Sequence, residues 1–497
     1  MTRRCFFFEV SPLFLFLFSL LLVQSACAQS DTVMVTPEFI GSRFVTAINS
    51  SDPKVHELIG QEIHAPASIA KNGIDRLTAS FLRHHNNFAP LEYHHAERLE
   101  FKKTNGSSSY VLHVYARKKG AVMWSDFQFY LDTSPPHLIT NLVFVAEVAE
   151  PIALPNGSIE QRETLDWLNG YIEKLERENG LSGSIRITKD DTVLLEKHWG
   201  YANIEQLRKI NAETSFGLAS GSKMFTALAI MQLQEQGKLK LSDKLTDYLP
   251  DFPRKEWAVR VSLEQMLSHT SGIAEYWTSK NETLMFDFKD WHQFLPLIYN
   301  EGFLFEPGTE FSYSNSNFML LGYIIEKVSG QDYYEYISKN ILVKADMKQS
   351  GYFLQSDSSQ SFAWPYARKD GGGWQLAKRF KNGKGSPAGG CYSNVNDIAK
   401  FCKALKSNQL VSSSTLKNMV TNKTIGVKDA QAYGLGFILE QHAQEHTIGH
   451  GGTASGVNFE FRYFPGQDIS LVVFCNQNNG AYDDLKRNAL KLISGAR

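Results

Sequence analysis

The stretch from Phe216 to Gly237, FGLASGSKMFTALAIMQLQEQG, decides how the rest of the chain is organised. Residues 224–233 are apolar on almost every side of a helical wheel, and a helix of this kind belongs in the interior of a large domain. Gly237 can adopt the left-handed conformation that ends a helix without steric cost. The stretch therefore predicts one buried helix around which a domain packs.

Ser220 and Lys223, at the start of this helix, are three positions apart, so their side chains share a face and can touch. A serine hydroxyl becomes a good nucleophile when a base takes its proton. A lysine can be that base if burial or nearby positive charge lowers its pKa, and the positive end of the helix dipole favours such a shift. Taken alone, the pair is also compatible with an N-cap serine and a surface lysine.

The segments on either side of this helix predict a sheet built from both ends of a domain. Before it, an amphipathic helix ends at Gly180 and is followed by a hairpin. After a long, mostly helical region, the strand candidates are 434–440, 446–450, 457–464 and 469–475. A closing helix follows. We therefore predict a mixed α/β (α+β) fold, with one antiparallel sheet flanked by helices and packed against a mostly helical lobe.

The first 28 residues have the pattern of a signal peptide. Two arginines provide positive charge, and the apolar run LFLFLFSLLLV precedes Ala26-Cys27-Ala28, which fits a cleavage site. We therefore expect an exported protein, periplasmic or secreted, whose mature chain begins at Gln29. A lipid anchor on Cys27 is the less favoured alternative, because Gln24 stands where a lipobox carries an aliphatic residue.

The pattern of residues 31–149 predicts a separate α+β domain. Residues 150–159 are predicted to be a linker between it and a second domain at 160–497. In the first domain, helical segments precede three β-rich runs. This order resembles the nuclear-transport-factor-2-like fold in layout alone. Members of that fold include enzymes, ligand-binding proteins and dimerisation modules, so the resemblance offers dimerisation through this domain as one alternative and does not determine a function.

The composition excludes some classes of partner. The chain has 51 Lys and Arg against 52 Asp and Glu, a formal net charge of −1, so no basic surface invites nucleic acid. No segment after the signal is long and apolar enough to span a membrane. The pairs His84-His85 and His94-His95 lack the spacing of a metal site, and we expect neither metal nor cofactor.

Tyr313 and Asn315, in the run FSYSN, are candidates to work with Ser220 and Lys223. A tyrosine can shuttle a proton when a cation lowers its pKa, and Lys223 would be such a cation. The Asn315 amide can hold the lysine and a substrate carbonyl together. The alternative is a turn in which the tyrosine hydroxyl only caps a neighbouring group.

The run GHGGT, which contains His450, ends a strand candidate. Glycines after a strand let a substrate backbone approach closely, so Gly451 and Gly452 are candidates for substrate binding. The N–H of Thr453 could pair with that of Ser220 as an oxyanion hole. His450 itself could stabilise charge or relay a proton. The alternative is a β-turn with a structural histidine.

The run LSHTSGI at residues 267–273 is rich in hydroxyl groups and ends in a glycine turn. His269 lies within it and could be proposed as a catalytic base. We interpret it instead as a buried histidine that holds a loop by hydrogen bonds.

The ordered set S-x-x-K from Ser220, Y-x-N from Tyr313 and H-x-G from His450 resembles the three motifs of the serine β-lactamase and penicillin-binding-protein superfamily. Because the middle motif is Y-x-N, the resemblance is to the class C β-lactamase branch, with its esterase, D-aminopeptidase and D,D-carboxypeptidase relatives. It covers about residues 160–497 and implies a β-lactamase/transpeptidase-like fold.

The resemblance also implies a role for each matched residue. Ser220 would be the acylated nucleophile, and Lys223 and Tyr313 would activate it and pass its proton to the leaving group. Asn315 would orient the lysine and the substrate amide. The N–H groups of Ser220 and Thr453 would hold the oxyanion, and Tyr313 would help a water molecule to release the acyl group.

One departure from the family affects the expected substrate. Many members carry Lys-Thr-Gly or Lys-Ser-Gly in the third motif, where this chain has His450-Gly451-Gly452. The site then lacks a permanent cation for a substrate carboxylate, because a histidine is mostly uncharged at neutral pH at its reference pKa of about 6.5. We therefore expect an exported serine hydrolase that cleaves ester or amide bonds of small-molecule or peptide substrates.

Two alternatives stay open. The first is a true β-lactamase or D,D-carboxypeptidase. The second is a binding protein that has kept the fold without catalysis, and the complete set of motifs argues against it.

Overall fold

The computed structural model describes residues 36–102, 108–119, 121, 123–354, 361–369, 373–377, 384–425, 432–442, 445–478 and 480–495. The chain divides into two compact units: one contains the residues through Ala121 together with Ser125–Val145, and the other contains Val122–Trp124 and Ala146–Arg497. The signal peptide expected at residues 1–28 lies outside the described residues.

The first unit places helices before a sheet. Its helices are α1 (Pro37–Asn49), α2 (Pro53–Ile63), α3 (Pro66–Asn72) and α4 (Ile74–Phe88). The strands β1 (Leu91–Lys102), β2 (Ser108–Lys118), β3 (Trp124–Leu131) and β4 (Ile139–Val148) follow and pair in sequential order. In the core of this unit, the Phe44 ring of α1 lies 5.1 Å from that of Phe127 and 4.8 Å from that of Phe129.

The sheet of this unit has one strand more than the three that the sequence predicts. The additional strand is β1, with the sequence LEYHHAERLEFK. Its register shifts between Tyr93 and His95, and such a bulge breaks the alternation of inward and outward side chains by which a strand is recognised.

The strands of the second unit in chain order are β5 (Gly183–Lys189), β6 (Thr192–Trp199), β7 (Tyr201–Asn203), β8 (Arg208–Lys209), β9 (Phe216–Gly217), β10 (Tyr366–Arg368), β11 (Trp374–Leu376), β12 (Tyr392–Ser393), β13 (Ala432–Tyr433), β14 (Ile438–His442), β15 (Glu445–Ala454), β16 (Val457–Phe464) and β17 (Ile469–Cys475). Seven of them form one sheet with the order β13-β14-β15-β16-β17-β5-β6. Strand β17 pairs antiparallel with β5, so the two ends of the domain share one sheet. This confirms the predicted architecture.

The helices of this unit cover both faces of the sheet. They are α5 (Arg162–Asn179), α6 (Lys223–Glu235), α7 (Leu245–Tyr248), α8 (Lys255–Ala258), α9 (Leu263–Leu267), α10 (Ser279–Met285), α11 (Leu295–Glu301), α12 (Asn315–Ser329), α13 (Tyr333–Ile337), α14 (Val395–Lys406), α15 (Ser413–Met419) and α16 (Gly480–Ser494). Short 3₁₀ turns occur at Ala219–Ser222 and Trp291–Phe294, and a π-helical turn at Ser338–Leu342.

Strand β17 shows why the sheet is apolar on both faces. Leu471 and Val473 belong to one core with residues of α5 and α16. Val472 and Phe474 belong to the other core, which contains α6 and α12. Because successive side chains of a strand alternate between faces, burial on both sides requires the unbroken apolar run seen here.

The segment around Ser220 differs from the single helix that the sequence predicts for Phe216–Gly237. Strand β9 and a 3₁₀ turn precede helix α6, which begins only at Lys223. Ala219 has a φ of 42°, so the chain cannot run on from β9 as regular helix. The helix itself is buried along residues 223–233, and Gly237 follows its end with a φ of 67°, as predicted.

No helix within the described parts of the chain combines the length and the hydropathy needed to cross a membrane.

Candidate active site

Ser220 and Lys223 meet at the junction between the 3₁₀ turn and α6. The Nζ of Lys223 lies 3.1 Å from the Oγ of Ser220, and Lys223 has no exposed surface. A buried lysine excludes the alternative of a surface lysine behind an N-cap serine. The sequence-predicted pair is therefore brought into direct contact.

Two carbonyl oxygens define the position of the Lys223 amine. Its Nζ donates to the Oδ1 of Asn315 and to the backbone oxygen of Ala388, each at 2.6 Å. Burial lowers the pKa of Lys223 to about 7, and the negative charge of Glu275 opposes this shift. A neutral amine that donates to both carbonyls directs its lone pair at the third contact, the Ser220 hydroxyl. Lys223 is thus positioned to accept the serine proton at neutral pH.

Asn315 is held in place by a residue that the sequence motifs did not indicate. The Oε2 of Glu275 accepts hydrogen bonds from the backbone N–H of Asn315 at 2.7 Å and from its Nδ2 at 2.8 Å. The second bond settles the orientation of the amide, with Nδ2 toward Glu275 and Oδ1 toward Lys223. Glu275 is 40 residues from Asn315 in the chain. Only the fold brings the two together.

Tyr313 contacts the same serine side chain. Its side chain forms a hydrogen bond with Ser220, and the Nζ of Lys223 lies 5.0 Å from its ring centroid. Although Tyr313 is 36% exposed, desolvation by the surrounding protein raises the pKa of its hydroxyl, and the hydrogen bond with Ser220 offsets only part of that rise. The expectation that Lys223 lowers this pKa is wrong, because Lys223 is itself buried and easily neutralised. Tyr313 is protonated at neutral pH and is suited to donating a proton.

His450 lies in β15 with both ring nitrogens engaged by the protein. Nδ1 donates to the backbone oxygen of Gly451, so Nε2 carries the lone pair and accepts the Tyr433 hydroxyl at 3.0 Å. Burial, together with the charge of Lys223, lowers the pKa of His450 to about 3. The imidazole is therefore neutral and fixed. This geometry favours a role for His450 in positioning β15 over a role in charge stabilisation or proton relay. Its partner Tyr433 is, after Glu275, the second residue of the site that the sequence motifs did not indicate.

Gly452 allows β15 to lie against the nucleophile turn. The pairing between β14 and β15 ends where Ile438 lies opposite Gly449. Beyond Gly449, the backbone of β15 at Gly452 lies against the turn that contains Ser220. A Cβ on Gly452 would lie 2.1 Å from the oxygen of Leu218 and 2.9 Å from the nitrogen of Ser220. Only glycine fits here. The Ser220 and Thr453 N–H groups, which were predicted to form the oxyanion hole, thus lie on adjacent segments, and their role stays a prediction.

The segment at Gly390 and Cys391, just before β12, is hydrogen-bonded to the turn that contains Ser220. Gly390 donates from its backbone to the oxygen of Ala219 at 3.2 Å, and Cys391 donates to the Oγ of Ser222 at 3.0 Å. Leu218 in turn donates to the oxygen of Cys391 at 2.8 Å. These bonds hold the non-helical backbone that presents Ser220.

His269 is confirmed as a buried histidine that holds a loop by hydrogen bonds. Its Nδ1 accepts the backbone N–H of Ser314 at 3.1 Å, and its ring centroid lies 4.2 Å from that of Tyr313. Burial lowers the pKa of His269 well below its usual value. The ring therefore supports the tyrosine and does not act as a base.

These groups border one open cavity of about 320 Å³. The residues from the predicted site that line it are Ser220, Tyr313, His450, Gly451, Gly452 and Thr453. Among the described residues, no cluster of His, Cys, Asp or Glu is arranged to hold a metal ion. The cavity thus exposes the Ser220 hydroxyl, which contacts the buried Lys223, next to Tyr313 and the closely approaching backbone of β15.

Comparison with known proteins agrees with this geometry. The family described as Beta-lactamase matches residues 168–496. The protein PbpX of Bacillus subtilis is 29% identical over 339 residues, which cover 68% of this chain and 81% of PbpX. Several relatives from Staphylococcus aureus are 29% identical over 309–342 residues, and the chain spans 59–64% of their length.

Solved structures show the same relationship. A penicillin-binding protein from Bacillus halodurans is 31% identical with a TM-score of 0.58, covering 64% of this chain and 97% of that one. An octameric penicillin-binding protein homologue from Pyrococcus abyssi is 28% identical with a TM-score of 0.60, covering 66% of this chain and 77% of that one. The chain belongs to the Beta-lactamase family and is a serine hydrolase.

Proposed function

We propose that this protein is an exported serine hydrolase that cleaves ester or amide bonds of small substrates through an acyl-enzyme on Ser220. The observation that carries the proposal is the 3.1 Å contact between the Ser220 hydroxyl and the buried amine of Lys223. A lysine with a pKa of about 7 is neutral in a large fraction of molecules at neutral pH. It can therefore take the serine proton, as nucleophilic catalysis requires.

In the acylation step, the Ser220 oxygen attacks the carbonyl carbon of the substrate while its proton moves to Lys223. The tetrahedral oxyanion forms beside the backbone N–H groups of Ser220 and Thr453. When it collapses, the bond to the leaving group breaks and that group takes a proton. Tyr313 is the donor, because its raised pKa keeps it protonated, and it regains the proton from Lys223.

Deacylation uses the same groups in reverse. A water molecule attacks the acyl carbon and passes a proton to Lys223 through Tyr313. The Ser220 oxygen leaves and is reprotonated. Asn315 keeps the lysine in position throughout, through its 2.6 Å contact.

The third motif supports ester and amide substrates over β-lactams. His450 is neutral, buried and bonded on both ring nitrogens, so it supplies no cation where many relatives carry a lysine. A β-lactam or a D-Ala peptide would lose a carboxylate contact at that position. We place the chain near the class C branch of the family because its middle motif is Tyr313-x-Asn315. The alternative function is that of a true β-lactamase or D,D-carboxypeptidase.

Export is proposed from the first 28 residues alone, which have the charge, apolar run and small-residue site of a signal peptide. The first unit is proposed as an accessory domain, with dimerisation as its simplest role. A change in oligomeric state on removal of that unit would support this role, and an unchanged state would contradict it.

The decisive experiment is intact-mass analysis after exposure to a fluorophosphonate, with Ser220→Ala as the control. We expect one adduct on the native protein and none on the variant. The same assay with p-nitrophenyl esters, a chromogenic cephalosporin and D-amino-acid peptides ranks the substrates. Faster turnover of the cephalosporin than of the short-chain esters would reverse our preference, and no adduct with any reagent would show that the protein is a binding protein.

A further inference from the structure

The Ala388 carbonyl that holds the Lys223 amine belongs to a tight turn at residues 386–389, which we call the Pro387 turn. Two backbone hydrogen bonds of 2.6 and 3.0 Å join the first and last residues of this turn. Pro387 and Ala388 form its tip. Because the Nζ of Lys223 donates to the Ala388 oxygen at 2.6 Å, a movement of the tip would redirect the amine.

Thr226 holds the carbonyl next to that of Ala388. It lies one helical turn after Lys223 on α6 and has no exposed surface, and its Oγ1 donates to the backbone oxygen of Pro387 at 2.7 Å. Side chains three positions apart on a helix share one face. Lys223 and Thr226 thus bind two successive carbonyls of the Pro387 turn, so Thr226 limits how far the carbonyl bound by the lysine can move.

Two tyrosines orient the Thr226 hydroxyl. The hydroxyl of Tyr333 lies 2.7 Å from the Oγ1 of Thr226 and 3.0 Å from the hydroxyl of Tyr352. A hydroxyl has one proton, and that of Thr226 goes to the Pro387 oxygen, which can only accept. Tyr333 therefore donates to Thr226, and Tyr352 donates to Tyr333. Burial raises the pKa of both tyrosines, which keeps these protons in place at neutral pH.

The ring of Pro387 packs against helix α12. A Cβ on Gly322 of that helix would lie 2.2 Å from the Cγ of Pro387, so the bare backbone of glycine permits the contact. Helix α12 also carries Asn315, the other acceptor of the Lys223 amine. The Pro387 turn is thus fixed by a hydrogen bond to the helix of the lysine and by packing to the helix of its amide partner.

We propose that Thr226 and Tyr333 are positioning residues, which hold the Pro387 turn so that the amine of Lys223 directs its lone pair at the serine hydroxyl. Both residues are fully buried and outside the cavity lining, so they act through the turn and not on the substrate. This inference rests on the proposed hydrolase function.

The pH dependence of the reaction reports this role. A carbonyl acceptor favours the ammonium form of Lys223, so displacement of the Ala388 oxygen should lower the pKa of the amine further. Among the described residues, the titratable groups that interact with the amine are Glu275, Tyr313, His269 and His450. A substitution at Thr226 leaves all of them in the chain. A change in the pKa therefore reports the position of the turn.

The test is the rate at which an uncharged fluorophosphonate labels Ser220 in the full-length protein, measured by intact mass across the titration of Lys223. Thr226→Val has nearly the same volume without the hydroxyl. We expect it to move the acidic limb about 0.5–1 unit to lower pH and to lower the rate above the limb about 10-fold. Thr226→Ser keeps the hydroxyl and should behave like the wild type.

Tyr333→Phe is the second variant. It removes the donor to Thr226 and leaves the threonine hydroxyl in place, so the limb should move in the same direction by a smaller amount. The control is Thr188→Val, which breaks a buried hydroxyl pair of 2.6 Å with Ser470 outside the cavity lining. This control should lose stability while its limb and its labelling rate stay unchanged.

A limb that stays in place in both Thr226→Val and Tyr333→Phe would overturn the proposal, even if both variants lose stability. If Thr226→Val does not fold, the limb of Tyr333→Phe decides alone. Labelling of the wild type separates this result from failure of the hydrolase function. Labelled Ser220 with unmoved limbs contradicts only the positioning role, whereas absent labelling of the wild type contradicts the hydrolase itself.

Discussion

The Nζ of Lys223 and the Oγ of Ser220 are 3.1 Å apart in a site where the lysine has no exposed surface. Burial disfavours the ammonium form and lowers the pKa of Lys223 to about 7. The two remaining contacts of the amine go to carbonyl oxygens, which a neutral amine can satisfy. The same burial that makes the lysine costly for the fold makes it useful as a base.

The pH dependence of acylation should follow the titration of Lys223. The neutral amine is the active form, and its fraction rises as the pH rises through about 7, so kcat/KM for an uncharged ester should have an acidic limb there. A profile that keeps rising to about pH 10, the ordinary range of a lysine, would contradict this assignment. Lys223→Met should slow fluorophosphonate labelling about 10²–10⁴-fold.

Glu275→Gln should move that limb to lower pH. The carboxylate of Glu275 raises the pKa of Lys223, so removal of its charge lets the pKa fall. We also expect kcat/KM to fall about 10-fold. The charged carboxylate of Glu275 accepts two N–H groups of Asn315, and the neutral amide of a glutamine would hold them more weakly. Glu282→Gln, on the exposed side of α10, is the matched control and should leave the limb in place. A limb that shifts upward in Glu275→Gln would refute the assignment.

Gly452→Ala should damage both stability and activity. The added Cβ would lie 2.1 Å from the Leu218 oxygen, and relieving that overlap should cost about 1–3 kcal/mol in the free energy of unfolding. The accompanying movement of β15 away from Ser220 should reduce kcat about 10²-fold. Gly170→Ala is the control, because a Cβ at that position in α5 meets no atom within 4 Å. It should stabilise the protein by up to about 1 kcal/mol in denaturant unfolding.

Tyr433→Phe should destabilise the protein through His450. The Nε2 of that histidine would be left buried without its donor, at a cost of about 1–3 kcal/mol in the free energy of unfolding. Tyr482→Phe is a matched control, since the buried Tyr482 hydroxyl has no hydrogen-bond partner among the described residues. If both variants lose the same stability, the Tyr433–His450 bond is not the cause.

Sequence patterns predicted best where local residues determine the structure. Strands β16 and β17 and the hairpin strand β6 begin and end where the alternation and turn residues predicted. Strand β1 was not predicted, because a bulge interrupts its alternation. The sequence pattern also predicts helix for residues 216–222, where the structure has a strand and a 3₁₀ turn. The pattern misses this turn because the positive φ of Ala219 depends on backbone contacts with the distant loop at Gly390.

The sequence by itself determined the order and type of the candidate groups: Ser220 and Lys223 are spaced by about one helical turn, and Tyr313 and Asn315 share one short motif. Only the tertiary structure decided their chemistry. The pKa values of Lys223 and His450 fall because packing from distant segments removes water from both. Glu275 and Tyr433 reach the site from segments without any motif. Desolvation and long-range contacts are properties of the folded chain, and no local pattern encodes them.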